Sequence, residues 1–446
     1  MKRIFRFCLL TLGVAIIPLS SSPARKPPVI DVTKGAFEAI PLAIVPFETE
    51  GAVPAELKTR LHQILRFDLE FSGFFYLLPN RGQIAEVDFL DRRSEQINHA
   101  FWREIGADAV VKGKLRRSRN GEVEVELLVY YCKGAYRIIG KKFETEEKHF
   151  RRLVHLLSDE IVFNLTGNPG IARTRIAFVY ETREGTKTVK ELHLIDYDGH
   201  PESLRRLTRD RDIVAFPSWS PDGNQLAFTS YFAKNPDLYA IDLSTGRRRL
   251  LSRYAGLNIS PTWHPSGKNL VLVLTKDGNS DLYRLDLRGN PPVRLTYDRS
   301  IESSPGYSPD GSRLVYTSDR GRSVQLYLMG ADGRGAQRFS PSGGWYDQAD
   351  WSPHGNRIVF IGSRDASRRF DLYSARPDGT EFRQLTRGSG SNEAPCWSPD
   401  GRHVLFNSNR DGNWNLYVMD ADGKNTRRLT FLPGNCYSPA WSPLPE

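Results

Sequence analysis

Sulfur is scarce in this chain, with four Cys and three Met among 446 residues, too few for a cysteine-built metal or cluster scaffold. Long apolar runs are scarce too. One lies near the start, Phe7 to Ile17, shorter than the roughly 20 residues a bilayer demands, and no second follows, so direct membrane insertion is not expected. Catalytic signatures are missing in turn. No GxSxG, HExxH, P-loop or GxGxxG stands in strand–helix context, and the nine histidines are scattered without metal-ligand spacing. A nucleophile would also need a partner base and an oxyanion hole, and no region outside the propeller supplies them. No metal, cofactor or catalytic residue is expected.

What is present is basic, turn-rich and apolar enough to fold. Apolar residues make up 39% and aromatics 11%, which excludes full disorder. The 37 Gly and 28 Pro favour many short strands. The net charge is +10, but residues 1–24 read as a cleavable secretory leader: Lys2, Arg3 and Arg6, the apolar run, then small residues up to Ala24. Without it, 59 basic residues face 52 acidic ones, a balance of +7 in an exported chain. Such a chain rarely meets nucleic acid, so Arg205-Arg206 and Arg247-Arg248-Arg249 read as solvated turns or as mild attraction to an acidic surface. Cys132, Cys396 and Cys436 remain. Cys132 reads as buried in a strand, and a Cys396–Cys436 bridge stays open, since an oxidising compartment permits it.

An internal repeat decides the fold. From Ala215 onward the chain repeats Pro, any residue, aromatic, Ser-Pro-Asp-Gly, an apolar strand, and a second strand ending in Leu-Tyr. The anchoring aromatics Trp219, Trp263, Tyr307, Trp351, Trp397 and Trp441 are spaced 44, 44, 44, 46 and 44 residues apart. Four strand signals per unit match one propeller blade. A further unit precedes Trp219, because Ile176–Phe178 aligns with Leu226–Phe228, but Pro169 stands where its aromatic should be. Trp441 has an aromatic strand and nothing after it. Together they close a ring of six blades over residues 172–443 and remove the free edges. The turn aspartates Asp222, Asp310 and Asp400 give way to Ser266 and His354 in other copies, which suits a turn cap rather than acid–base chemistry. The aromatics read as wedges between blades. Asp319-Arg320 and Arg364-Asp365 read as charge pairs at hairpin tips.

Residues 41–167 have a different texture. Leu42–Pro46 reads as a buried strand. Leu57, Leu61, Ile64, Leu65 and Leu69 fall at helical spacing behind Pro54. Strands follow at Ala109–Lys114, Glu122–Tyr131 and Tyr136–Phe143. A last helix carries Leu153, Leu156, Leu157, Ile161 and Leu165. The fold class is therefore an α/β N-terminal domain followed by an all-β six-bladed β-propeller, with residues 25–40 as a separate leading segment.

In order, PLAIVPF, DLEFSGFF at 68–75, ADAVVKG at 107–113, LTGNPGIARTRIAFVY at 165–180, and the WSPDG repeats with TSDR at 317–320 resemble the TolB family, the periplasmic propeller components of the Tol–Pal envelope system. The resemblance covers nearly the whole chain after the leader. It implies a non-enzymatic periplasmic adaptor that links inner membrane, peptidoglycan and outer membrane. Such an adaptor supports outer-membrane integrity and constriction during cell division. The implied partners are the Pal lipoprotein on the propeller, the inner-membrane protein TolA at the N-terminal segment, and further outer-membrane proteins.

Two surfaces are candidates. Topology puts the connections between blades on one face, rimming the channel with Asn258, Glu302, Ser303, Gln348, Asn392, Glu393 and Asn435, beside the aromatic pair Trp345 and Tyr346. A polar ring around an aromatic anchor suits a protein loop, and the resemblance implies the same face for Pal. The second is Arg25–Phe37, where Val29, Ile30, Asp31 and Val32 could add a strand to a partner's sheet; the resemblance implies TolA. The competing reading is a periplasmic propeller enzyme or lectin acting on envelope carbohydrate, with histidines near the channel.

Overall fold

The computed structural model describes residues 14–18, 39–79, 96–118, 120–363 and 369–445. The chain divides into two compact units, Met1–Arg173 and Thr174–Glu446.

The first unit is built on one mixed sheet. Its strands are β1 (Val14–Pro18), β2 (Ile40–Ile44), β3 (Glu48–Glu50), β4 (Phe75–Leu77), β5 (Ala109–Arg117), β6 (Val123–Tyr131) and β7 (Tyr136–Thr145), and its helices α1 (Ala55–Phe71), α2 (His99–Glu104) and α3 (Phe150–Thr166). The order is β1-β7-β6-β5-β2-β4, with β3 also on β5. β2 runs parallel to β4 and β5, and β5 to β7 form an antiparallel meander. β1, from within the expected leader, lies antiparallel along β7 in this uncleaved chain. The helical stripes expected from the sequence bury Leu57, Leu61, Ile64, Leu65 and Leu69 of α1 and Leu153, Leu157, Ile161 and Leu165 of α3 in one core on the sheet. Gly167 ends α3 at φ 74°, and its N–H returns to the Phe163 carbonyl at 2.8 Å, a turn that glycine adopts without a Cβ penalty. A smaller core on the sheet gathers Trp102 of α2 with Val45, Val110 and Leu128.

The second unit is a ring of six four-stranded sheets. Five blades have innermost strands at Val214–Trp219, Asn258–Trp263, Glu302–Tyr307, Trp345–Trp351 and Asn392–Trp397; these are blades two to six. Blade one takes its innermost strand from the far end of the chain: Asn435–Trp441 pairs antiparallel with Arg175–Glu184, Trp441 opposite Ile176. Ser442 N–H reaches the Arg175 carbonyl at 2.8 Å and the Trp441 indole reaches Thr174 Oγ1 at 2.8 Å. The ring closes as the spare and missing strands required.

The anchoring aromatics wedge between blades. The indole N–H groups of Trp219, Trp263 and Trp397 donate to carbonyls of the preceding blade's innermost strand, Ala440, Ser218 and Asp350, at 2.9, 3.2 and 3.3 Å. Each innermost strand also carries a bulge. At its centre Phe216, Ser260, Ser304, Gln348, Ala394 or Ser438 has φ between 47° and 55°. The residue that follows is proline in every blade but the fifth. A bulge residue leaves the ladder, so proline's missing N–H costs nothing there, which accounts for the recurring Pro of the motif.

The SPDG turns are self-capping. Ser220 Oγ donates to Asp222 Oδ1, which also accepts the Asn224 N–H at 3.0 Å, before Gly223 at φ 69°. The Ser308 and Ser312 hydroxyls hold the Asp310 carboxyl down at about 2. A carboxylate so stabilised is a poor proton carrier, as a structural cap should be.

Candidate functional site

Each blade's connection to the next leaves from its outer strand, and that corner is locked. Two residues after the end of five outer strands stands a Thr or Ser whose hydroxyl accepts a third-strand N–H: Thr208 from Leu192, Thr296 from Leu282, Ser340 from Leu326, Thr386 from Leu372 and Thr430 from Leu416, all at 2.9–3.1 Å. Two residues earlier an arginine grips the residue just before that leucine: Arg206–Glu191 at 2.8 Å, Arg294–Asp281 at 2.7 Å and Arg338–Gln325 at 2.7 Å. Arg206 is therefore no solvated turn. Nor is Arg248, which pairs with Asp210 at 2.6 Å. The signal missed in the sequence is the recurring Arg-x-Thr/Ser, with an acid or amide before each Leu-Tyr.

The lock explains where the expected site residues go. Asn258, Glu302 and Asn392 are wholly buried. Asn258 accepts from the Ser252 hydroxyl and the Tyr254 N–H at 2.6 and 2.9 Å. Glu302 accepts from Ser318 at 2.8 Å, and Asn392 from Arg410 at 2.8 Å. Tyr346 is 1% exposed, its ring edge-on to Phe360, Tyr373 and Phe382 at 5.9–6.1 Å. These four brace the blades, and as residues presented to a partner they are corrected. The cause is register: five residues before the anchoring aromatic, a side chain turns into its blade rather than onto the face. Asp319-Arg320 is likewise no pair in itself, since Arg320 binds Asp298 at 3.0 Å and Glu302 at 3.3 Å. Arg364-Asp365 and Val29, Ile30, Asp31 and Val32 lie outside the described residues.

The remaining candidates stay accessible at the channel mouth. Ser303, Gln348, Glu393 and Asn435 are half-buried and Trp345 is exposed. Gln348 Oε1 accepts the Ala394 N–H of the next blade at 2.7 Å. Asn435 joins Glu181 at 2.9 Å and the Trp414 N–H at 3.0 Å. Deeper in the channel Asp350 accepts the Trp397 N–H across blades at 2.9 Å. Enclosure by the ring pushes Asp350 up to about 6, and burial raises Glu393 despite its bond from Ser391. The innermost strands bring no histidine to the channel, against the expectation attached to an enzyme. A Ser–His–Asp group does occur in the first unit, but there both Ser158 Oγ (2.6 Å) and His155 Nδ1 (2.8 Å) bind the buried Asp68. The serine is not held by the histidine, as an activated nucleophile would be. Cys396 and Cys436 are separate free thiols, so the bridge left open by the sequence does not form.

What the sequence did not reveal is an apolar surface. Ile213, Phe232, Tyr254, Tyr297, Ile301, Trp345 and Phe431 are all exposed, Tyr297 and Phe431 by 72% and 73%. Each sits in a blade-to-blade connection, in the hairpin beside it, or at the start of an innermost strand, and so on one face of the disc. Arg294 and Arg428 stand over the rings of Tyr297 and Phe431 at 5.0 and 4.7 Å, which holds them outward. Among the described residues, no large exposed apolar side chain belongs to the SPDG turns or the turns beside them.

The TolB amino-terminal domain family matches residues 28–131, and PD40, the TolB beta propeller domain family, matches residues 162–445. The Tol-Pal system protein TolB of Nitrosococcus oceani is 32% identical over 231 residues, 51% of this chain and 51% of that protein; the chain thus matches about half the length of this curated relative. The crystal structure of TolB from Acinetobacter baumannii superposes over 97% of this chain and 100% of its own, with TM-score 0.77 and 26% identity. Hydrazine synthase of Kuenenia stuttgartiensis, at 16% identity and TM-score 0.51 over 60% of this chain and 46% of its own, shares the fold alone. With one family covering the propeller over more than half the sequence and the other preceding it in the same order, the chain belongs to the TolB family.

Proposed function

We propose that this protein is a periplasmic, non-enzymatic adaptor of the Tol–Pal envelope system. Its propeller receives the Pal lipoprotein on the inter-blade face, and its segment around Val29–Val32 engages TolA. Through these contacts it supports outer-membrane integrity and constriction at division. The observation that carries the reading is the one-sidedness of the exposed aromatics. A face crowded with exposed Tyr, Trp and Phe around a polar channel mouth has the make-up of a protein-binding surface, and the opposite face has none of it.

The test truncates two of the exposed aromatics on this face. Tyr297→Ala combined with Phe431→Ala should weaken Pal binding by more than tenfold, since truncating an aromatic anchor costs about 2 kcal/mol or more. Asp332→Ala with Asp422→Ala, on the opposite face, should leave it unchanged. Calorimetric titration with purified Pal reads both. Loss of binding only from the opposite-face changes would refute the placement.

A further inference from the structure

The face opposite the exposed aromatics is built of near-identical turns, and one blade breaks the pattern. Blades two, four and six carry Asp222, Asp310 and Asp400 in the first turn. Blades one, four, five and six carry Asp198, Asp332, Asp378 and Asp422 in the second. Blade three has Ser266 in the first turn and Arg288 in the second. It also has Lys268 just after the first turn. Arg284 sits mid-way along its third strand, where the other blades place Leu194, Ala240, Leu328, Ser374 and Val418. Over these four positions blade three carries a formal +3, whereas blades two, four, five and six carry −1 or −2. The turn geometry does not ask for this, because serine caps the first turn as aspartate does elsewhere.

Lys268, Arg284 and Arg288 line one groove of about 330 Å³. The only carboxylate lining it is Asp286, already occupied by the Arg288 N–H at 2.8 Å and the Asn290 amide at 3.0 Å. None of the three cationic side chains makes a hydrogen bond or ion pair with a described residue. Arg284 is half-buried and lines the groove without a protein acceptor for its guanidinium, which leaves its donors to an external anion. We propose that this groove of blade three binds a phosphate group. Three cations exceed what one carboxylate balances, and the planar forks of two arginines match a tetrahedral oxyanion. A soluble phosphate compound and a phospholipid headgroup present the same chemistry.

The full chain, titrated with inorganic phosphate and pyrophosphate at physiological ionic strength, reports the soluble source. Co-sedimentation with phosphatidylglycerol vesicles, against phosphatidylcholine vesicles, reports the lipid source. Lys268→Asn with Arg284→Ala and Arg288→Asp installs the residues of other blades and should weaken the binding roughly tenfold or more, the equivalent of losing one charge-assisted hydrogen bond. Arg334→Ala, in the second turn of blade four, should not. Should the triple variant unfold early, Arg284→Leu, as in blades one and four, carries the same test. Phosphate binding without vesicle binding identifies a soluble ligand, and anionic-vesicle binding lost in the variant identifies a headgroup. No binding in either arm, or equal binding by wild type and variant, overturns the proposal.

Discussion

Glutamine at position 302 should abolish a loss of stability that the native propeller suffers as pH rises. Glu302 is wholly buried. Its Oε1 accepts the Ser318 hydroxyl at 2.8 Å and an Arg320 N–H at 3.3 Å, while Oε2 meets no donor. Arg320 is shared with Asp298 at 3.0 Å and the Tyr316 hydroxyl at 2.7 Å, and Asp281 adds negative potential nearby. Burial therefore prevails and pushes the Glu302 carboxyl from 4.5 up to about 7. A carboxyl raised on folding binds more protons folded than unfolded. Its favourable share is complete below about pH 4.5 and drains away as pH climbs towards 7. At about 1.4 kcal/mol for each pKa unit, the loss is on the order of 3 kcal/mol. That corresponds to roughly 6–12 °C in unfolding midpoint for a unit of this size. Blade six shows that an amide fits, because Asn392 fills the same place with Ser408 and Arg410 beside it. Thermal unfolding of wild type and Glu302→Gln between pH 5 and 8 is the assay. Asp350 and Glu393 act in the same direction, so the difference between the proteins is what counts. The variant should be clearly the more stable at pH 8 and nearly equal at pH 5. Parallel profiles would refute the reasoning.

Trp441→Ala should lower propeller stability by about 3–5 kcal/mol, and removal of residues 436–446 by more, both read by thermal unfolding; an unchanged midpoint would mean the ring does not depend on its last strand. Burial pushes the thiols of Cys132 and Cys436 up to about 12, so a thiolate-specific reagent should label them only after denaturation, and rapid labelling of the native chain would contradict their placement. Ile30→Asp should weaken TolA binding and spare Pal binding; equal loss of both would point to misfolding of the first unit instead.

The ring and its closure were legible because they rest on period. A 44-residue repeat with a strand short at one end and spare at the other has one economical arrangement. The helical stripes of α1 and α3 were legible for the same reason. The site was less so, because accessibility at a strand's entrance depends on pleat. Adjacent residues point to opposite sides, and the bulge after Glu302 or Asn392 shifts that alternation. Counting from the motif placed Glu302 on the face; the register turned it inward and left Ser303 half-exposed. Tyr297 and Phe431 carry no motif of their own. They follow Arg-x-Thr, and only the fold shows that this tripeptide turns the next side chain outward.

Ring closure by Asn435–Trp441 also sets a clock on biogenesis. Translation runs from the N-terminus, so Arg175–Glu184 emerges some 250 residues before the strand that will cover its inner edge. At about 5–20 residues per second, that edge waits roughly 10–50 s with its backbone donors and acceptors unpaired. During that interval blades two to six can form their own sheets, yet the circle stays an open arc with an adhesive end. A nascent chain of this design needs a companion for its first blade, or confinement until its last residues arrive. A chain broken anywhere before residue 435 would keep that edge exposed and remain recognisable as incomplete.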